Sequence, residues 1–252
     1  MFKRILKSFQ SLTKSFGFNI VRYKKKDSVI IYPSDFTSKN VEICNAVKKY
    51  TMTSPERVTA LIDAINYVVA NKISGAFVEC GVWKGGSSMA MALSLKNWGD
   101  ESRDLYLYDT FTGMSAPTEA DIAITGDTAQ QVLSDDPRSR AIASLDEVKK
   151  NIFSTGYPKD KIHFIKGKVE TTIPASVPKE IALLRLDTDW YESTKHEMNH
   201  LFPLLKRNGV LIIDDYGHWD GARRAIDEYI SDNNVIILLS RIDYTGRIAV
   251  KL

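Results

Sequence analysis

Leu184-Arg185-Leu186-Asp187-Thr188-Asp189 and Val210-Leu211-Ile212-Ile213-Asp214-Asp215 are two largely apolar runs, each ending in carboxylates. Buried strands of an open parallel sheet read as apolar runs, and ligands of such sheets collect just beyond the carboxyl ends of the strands. A single helical stretch, residues 193–205, separates the runs and suits one crossover between parallel neighbours. On adjacent strands, about 4.8 Å apart, Asp187, Asp214 and Asp215 converge on one small volume. Like charges brought that close repel unless one binds a proton or a cation sits among them. A divalent metal is therefore expected there.

The rest of the chain alternates strand and helix around these two runs. Residues 76–79, 105–108 and 162–166 read as further strands, and 181–186 and 210–213 are the two already quoted. Helical patterns fall at 41–50, 56–71, 87–95, 145–153, 193–205 and 221–231. The second of these opens with Thr53-Ser54-Pro55-Glu56, a hydroxyl cap with proline in the first turn, and carries Val58, Leu61, Ile62, Ile65 and Val69 on one face. Residues 235–239 and 247–250, joined by a polar turn at 243–246, read as an antiparallel hairpin. The fold class expected is α/β and Rossmann-like: a mostly parallel seven-stranded sheet ending in that hairpin, with helices on both faces. Residues 112–140, with Gly113, Pro117, Gly126 and Pro137, read as a long segment without regular structure that closes over the site as a lid.

With 252 residues, 44% of them hydrophobic, the chain can bury a full core. Cys44 and Cys80 stand far apart in the chain, so neither a disulfide framework nor a thiolate zinc site is indicated, and a reducing cytoplasm fits best. No run approaches the roughly 18 apolar residues of a spanning helix, and no secretory signal is recognisable. The net charge of +3 is concentrated at the amino end, where Lys3, Arg4, Lys7, Lys14, Arg22, Lys24, Lys25 and Lys26 all precede the first acid, Asp27. Phe2, Ile5, Phe9, Leu12 and Phe16 recur there at helical spacing. Residues 1–52 thus read as a basic amphipathic arm and linker, and 53–252 as the catalytic domain. The arm, through residues 1–26, has two open readings: peripheral contact with an anionic membrane at its inner face, or packing against protein, including a second copy in a homo-oligomer. Nucleic acid is not expected, because no aromatic stacking platform accompanies the lysines.

The first strand runs into Glu79-Cys80-Gly81-Val82-Trp83-Lys84-Gly85-Gly86-Ser87-Ser88. Glycines at a strand-to-helix turn let a ligand touch the backbone, and the free amides of a helix start attract negative groups. The spacing is neither the dinucleotide G-x-G-x-x-G nor a phosphate loop. It is close to the E-x-G-x-x-x-G pattern of methyltransferases that bind S-adenosylmethionine, which marks Glu79, Gly81, Gly85 and Ser87 as cofactor-binding. Asp109, just past the second strand, is placed to accept the ribose hydroxyls, with Thr110 and Phe111 beside it; a turn-forming or capping aspartate is the plainer alternative. Gly167, beyond the third strand, would edge the adenine pocket.

Four ordered motifs then carry a resemblance: Glu79–Ser87, Tyr108-Asp109-Thr110-Phe111-Thr112-Gly113-Met114, Leu186-Asp187-Thr188-Asp189-Trp190-Tyr191-Glu192-Ser193-Thr194, and Ile213-Asp214-Asp215-Tyr216-Gly217-His218-Trp219 followed by Gly221-Ala222-Arg223. Together they resemble the macrocin O-methyltransferase family from about Thr53 to the carboxyl end, leaving the basic arm outside. The resemblance implies the Rossmann-like methyltransferase fold and two cofactors, S-adenosyl-L-methionine and Mg2+. It also implies methyl transfer to a sugar hydroxyl of a glycosylated small molecule or glycan. It makes Asp187, Asp214 and Asp215 the magnesium ligands and Asp189 the general base.

Plainer readings stand beside these. Asp214-Asp215 could cap the next helix, Asp187 could pair with Arg185 or Lys195 at the surface, and Asp189 could orient a water. His218 could be a base, a substrate contact or an ordinary loop histidine. Trp190, Tyr191 and Trp219 could wall a sugar or fill the core. Competing functions are a catechol-type methyltransferase, a noncatalytic adenosyl-binding module, and an oxidoreductase or epimerase, the last lacking its dinucleotide fingerprint.

Overall fold

A computed structural model describes residues 32–252. The chain divides into two compact units, Met1–Ser34 and Asp35–Leu252; the basic amphipathic stretch expected at residues 1–26 lies outside the described residues. Among the described residues, no helix is long and apolar enough to cross a membrane.

The second unit begins with α1 (Ser38–Val47), capped by the Thr37 hydroxyl, which starts it three residues before the expected 41. It lies within the unit Asp35–Leu252 that contains the sheet. α2 (Pro55–Ala70) starts where Ser54 accepts from the Arg57 amide, and Pro55 occupies a position whose missing N–H costs nothing. Its buried face uses Val68, not the expected Val69, because Val58, Leu61, Ile65 and Val68 keep the three-to-four spacing of one stripe. Then follow β1 (Ala76–Cys80), α3 (Gly86–Trp98), β2 (Leu105–Asp109), α4 (Ala129–Asp135), α5 (Leu145–Phe153), β3 (Ile162–Lys166), α6 (Val169–Thr172) and β4 (Ile181–Leu186). α7 (Tyr191–Leu201), β5 (Leu205–Ile213), α8 (Asp220–Asp232), β6 (Ser240–Arg241) and β7 (Arg247–Val250) complete the chain.

The sheet has seven strands in the order β3-β2-β1-β4-β5-β7-β6. Pairs from β3 through β5 are parallel, whereas β7 runs antiparallel to both β5 and β6. Strand order reverses at β1, and β4 lies between β1 and β5, so the two quoted runs are direct neighbours. Every residue of β1 and of β4 is buried, as strands covered on both faces must be. Leu184, Leu186, Leu211 and Ile213 pack with Met198 and Leu201 of α7 and Ile226 of α8.

Three expectations are corrected. The helix read as 193–205 ends at Leu201 because Pro203, lacking an N–H, tightens the chain into a 3-10 turn, Phe202–Leu204; β5 accordingly begins at Leu205. The segment 112–140 is not without regular structure: α4 opens on a reciprocal capping box between Thr128 and Gln131, and a 3-10 turn spans Pro137–Arg140. Residues 235–239 are not a strand; in the stretch before the turn it is Ser240 and Arg241 that pair with β7. Val235, Ile237 and Leu239 do pack on the core while Ile236 and Leu238 face out, so the alternation reports extended backbone without a ladder.

Candidate active site

At the carboxyl end of the sheet the strand exits are tied sideways. The Asp187 amide donates to the Cys80 carbonyl and the Asp214 amide to that of Leu186, each at 2.9 Å. One oxygen each of Asp187, Asp214 and Asp215 consequently lies within 4.8 Å of the others.

The strongest partner of this cluster is Arg185, which the sequence offers only as a surface partner for Asp187. Arg185, the next-to-last residue of fully buried β4, faces Glu79 across the β1–β4 register. It donates to Glu79 Oε1 and Asp187 Oδ2 at 2.7 Å and to Asp214 Oδ1 at 2.6 Å, with the Thr53 hydroxyl at 3.1 Å. Arg57, from the first turn of α2, pairs with the other oxygen of Asp214 and reaches Asp243 at 3.0 Å. Asp187 does pair with Arg185, but inside the protein; Lys195 bonds Tyr191 and Glu228 instead. Two guanidinium groups thus serve a site rich in acids, Glu79, Asp187, Asp189, Asp214, Asp215 and Asp243, so carboxyl groups are in excess over fixed cations.

That excess is concentrated on Asp215 and Asp189. Asp215 Oδ2 is buried without a hydrogen-bond partner. Asp189 sits at φ +66, a left-handed conformation that aspartate tolerates better than most residues, and its carboxyl faces Asp215 and the Trp219 indole. Burial, and then the charge of Asp187, push its pKa up to about 7. Burial likewise lifts Asp187 and Asp215 well above the usual carboxylate range.

The loop bearing Asp189 is fixed from a distant stretch of chain. Asp121 Oδ1 accepts from the Tyr191 amide at 2.8 Å, capping α7, which has no cap of its own, and Trp190 Nε1 donates to the Ser115 carbonyl at 3.1 Å. Ala123 forms a β-bridge with Trp219. Trp190 and Trp219 meet edge to face at 5.0 Å and are both buried, and both also line the cavity that holds the acid cluster. His218 is half-buried, and burial lowers its pKa.

Two cavities meet at this end of the sheet. One is lined by Gly81, Asp109, Thr110, Gly167, Thr188 and Ser193. The other is lined by Glu79, Ser87, Asp189, Asp214, Asp215 and His218 among others. Gly81, Asp109, Met114, Ala141 and Asp187 line both. Of the residues expected to bind cofactor, Gly85 and Phe111 line neither cavity: Gly85 backs onto Ile152 of α5, and Phe111 is buried near Phe164. Glu79 has both oxygens engaged, by Arg185 and by the Ser88 hydroxyl. Asp109 stitches two loops together, accepting from the amides of Val82 and Trp83 at 2.8 and 2.9 Å and from that of Phe111 at 2.6 Å. Trp83 and Phe111 both have positive φ, so Asp109 holds two unfavourable turns in place.

The strand order, the glycine turn after β1 and the paired cavities over the strand ends define an S-adenosylmethionine-dependent methyltransferase of Rossmann-like fold. The chain belongs to the macrocin O-methyltransferase (TylF) family, whose model matches residues 7–250. That match starts well before Thr53, so most of the basic arm falls within the family's span, contrary to the expected limit. A tetracenomycin-modifying enzyme of Streptomyces olivaceus, 8-demethyl-8-(2,3-dimethoxy-alpha-L-rhamnosyl)-tetracenomycin-C 4'-O-methyltransferase, is 32% identical over 197 residues, spanning 78% of this chain and 74% of its own. Demethyldecarbamoylnovobiocin O-methyltransferase of Streptomyces niveus is 28% identical over 198 residues, with the same coverage of 78% and 74%. The solved O-methyltransferase NovP superposes with a TM-score of 0.72 at 27% identity, over 80% of this chain and 82% of its own.

Proposed function

We propose that the enzyme transfers the methyl group of S-adenosylmethionine to a sugar hydroxyl of a glycosylated natural product or glycan. In this reading a divalent cation, Mg2+, is held by Asp187, Asp214 and Asp215. The observation that carries it is the orphaned, buried Oδ2 of Asp215 within a three-carboxylate cluster that two arginines leave negative. All the donors are hard carboxylate oxygens, the kind magnesium takes. The rhamnosyl acceptor in the name of the Streptomyces olivaceus relative supports the sugar hydroxyl.

When bound, the cofactor supplies the electrophilic methyl group and the cation supplies positive charge that makes an acceptor hydroxyl more acidic. The chain supplies position and a proton acceptor. Gly81, Asp109 and Asp187, common to both cavities, sit where donor and acceptor meet, and holding the two aligned accounts for much of the rate. Asp189 removes the hydroxyl proton. The contacts from Asp121 and Ser115 keep its loop from turning away.

A base must be ionised to work, so turnover is low below the Asp189 pKa and rises to a plateau above it. The inflection is expected at or below about 7, since a cation beside Asp187 cancels part of the charge that raises it. Asp189→Asn should flatten that limb and lower kcat by about 10²–10⁴-fold; a kcat profile that keeps the same inflection in the variant would remove Asp189 from the base role.

The direct test is transfer of labelled methyl to sugar nucleotides, glycolipids and catechols, with Mg2+ and with chelator. Sugar acceptors methylated only with Mg2+ are expected. Catechols as the preferred acceptors, or full activity under chelation, would overturn the acceptor or the metal assignment respectively.

A further inference from the structure

We infer that Arg185 is the positioning residue of the metal site: its guanidinium fork, braced by Glu79, holds Asp187 and Asp214 in ligating arrangement before any cation arrives. This rests on the metal reading above and adds to it a residue pair that touches neither metal nor substrate. Three observations carry it. Arg185 is the next-to-last residue of a strand buried throughout and its side chain is 2% exposed, so it cannot swing away to solvent. Its two terminal nitrogens divide the work, one reaching Glu79 and Asp187 and the other Asp214, so a single planar group fixes the angle between carboxylates on two different strands. Glu79 is clamped in turn, its second oxygen bonded by Ser88 at the start of α3.

The chemistry explains why an arginine stands there. Three carboxylates without a counter-charge would spread apart in the metal-free protein, and a magnesium ion, which demands near-octahedral oxygens, would then have to reassemble them. A guanidinium supplies a fixed cation and five donors in a rigid plane, which a lysine ammonium cannot do. Partners that orient metal ligands commonly control affinity by about 10–100-fold. The brace also gives Glu79 a role distinct from cofactor contact.

Arg185→Lys keeps the charge and loses the fork. In Mg2+ titrations followed by calorimetry, it should bind at least about tenfold more weakly than the natural protein. S-adenosylhomocysteine affinity should stay unchanged, and kcat should recover towards normal at saturating Mg2+. Glu79→Gln, which takes the charge out of the brace and so weakens it, should weaken Mg2+ in the same direction by a smaller factor; it carries the test if Arg185→Lys does not fold. Natural-like Mg2+ affinity in whichever variant folds overturns the inference, as does weakened Mg2+ binding matched by an equal loss of S-adenosylhomocysteine affinity. If the natural protein itself binds no Mg2+, it is the metal reading that fails, and the two failures are thereby distinguished.

Discussion

Asp215→Asn is expected to lower kcat/KM by on the order of a thousandfold while leaving the protein folded. Losing a metal ligand removes several kcal/mol of transition-state stabilisation, and each 1.36 kcal/mol is a factor of ten in rate. The fold should survive because Asp215 forms no ion pair with either arginine and its Oδ2 bonds nothing. An amide there also relieves the like-charge contact with Asp189. Cofactor affinity should be kept, since Asp215 lies outside the cavity lined by Asp109, Thr110 and Gly167. Asp214→Ala makes an instructive contrast: it strands Arg57 and Arg185 without a shared partner and should cost about 3–5 kcal/mol of stability. The measurement is a pair of melting curves with and without Mg2+, set beside methyl-transfer rates. Mg2+ should raise the melting temperature of the natural protein and not that of Asp215→Asn. A variant that still gains stability from Mg2+, or still turns over at the natural rate, would show that Asp215 is not a ligand.

The convergence of Asp187, Asp214 and Asp215 was legible because it follows from one-dimensional signals. Two apolar runs, one crossover length and the rule that parallel neighbours exit on the same side are enough to bring the acids together. Arg185 stands next to the end of the first run, and the sequence offers it only as a surface partner for Asp187. A charge at a position buried on both faces must be paired, so the residue itself was the signal, but its partner Glu79 lies 106 positions away and is identified only by the β1–β4 register. Arg57 carried no signal at all, since a first-turn arginine ordinarily faces water. Asp121 was equally silent: a single acid in a loop gives no hint that it caps a helix seventy residues on. Segment 112–140 departs from its sequence reading for a different reason. Its helix is seven residues long and holds one buried residue, Ala129, so hydrophobic periodicity has nothing to register, and only the Thr128–Gln131 capping pair marks it.

Gly81→Ala should be the most destabilising single-methyl change at the site. Gly81 has φ +83, and a Cβ there would stand 1.9 Å from the Asp187 carbonyl oxygen and 2.6 Å from its carbon. Both are backbone atoms, tied down by the bond from the Asp187 amide to Cys80, so no rotamer change can make room. The left-handed conformation alone costs about 1–2 kcal/mol for an L-residue, and forcing β1 and β4 apart adds about 1–3 kcal/mol. A loss of about 3 kcal/mol or more lowers the melting temperature by roughly 6–12 °C in a domain of this size. Gly99→Ala isolates the first term, because Gly99 also has positive φ, +70, yet nothing lies within 4 Å of its Cβ position. It should cost only about 1–2 kcal/mol and leave activity intact. The displacement at Gly81 falls on the backbone of Asp187, so Mg2+ affinity should drop in step with stability, whereas Gly99→Ala should leave it unchanged. Equal losses in the two variants would mean that β1 and β4 are not in the close contact that brings the first acid of the cluster to its place.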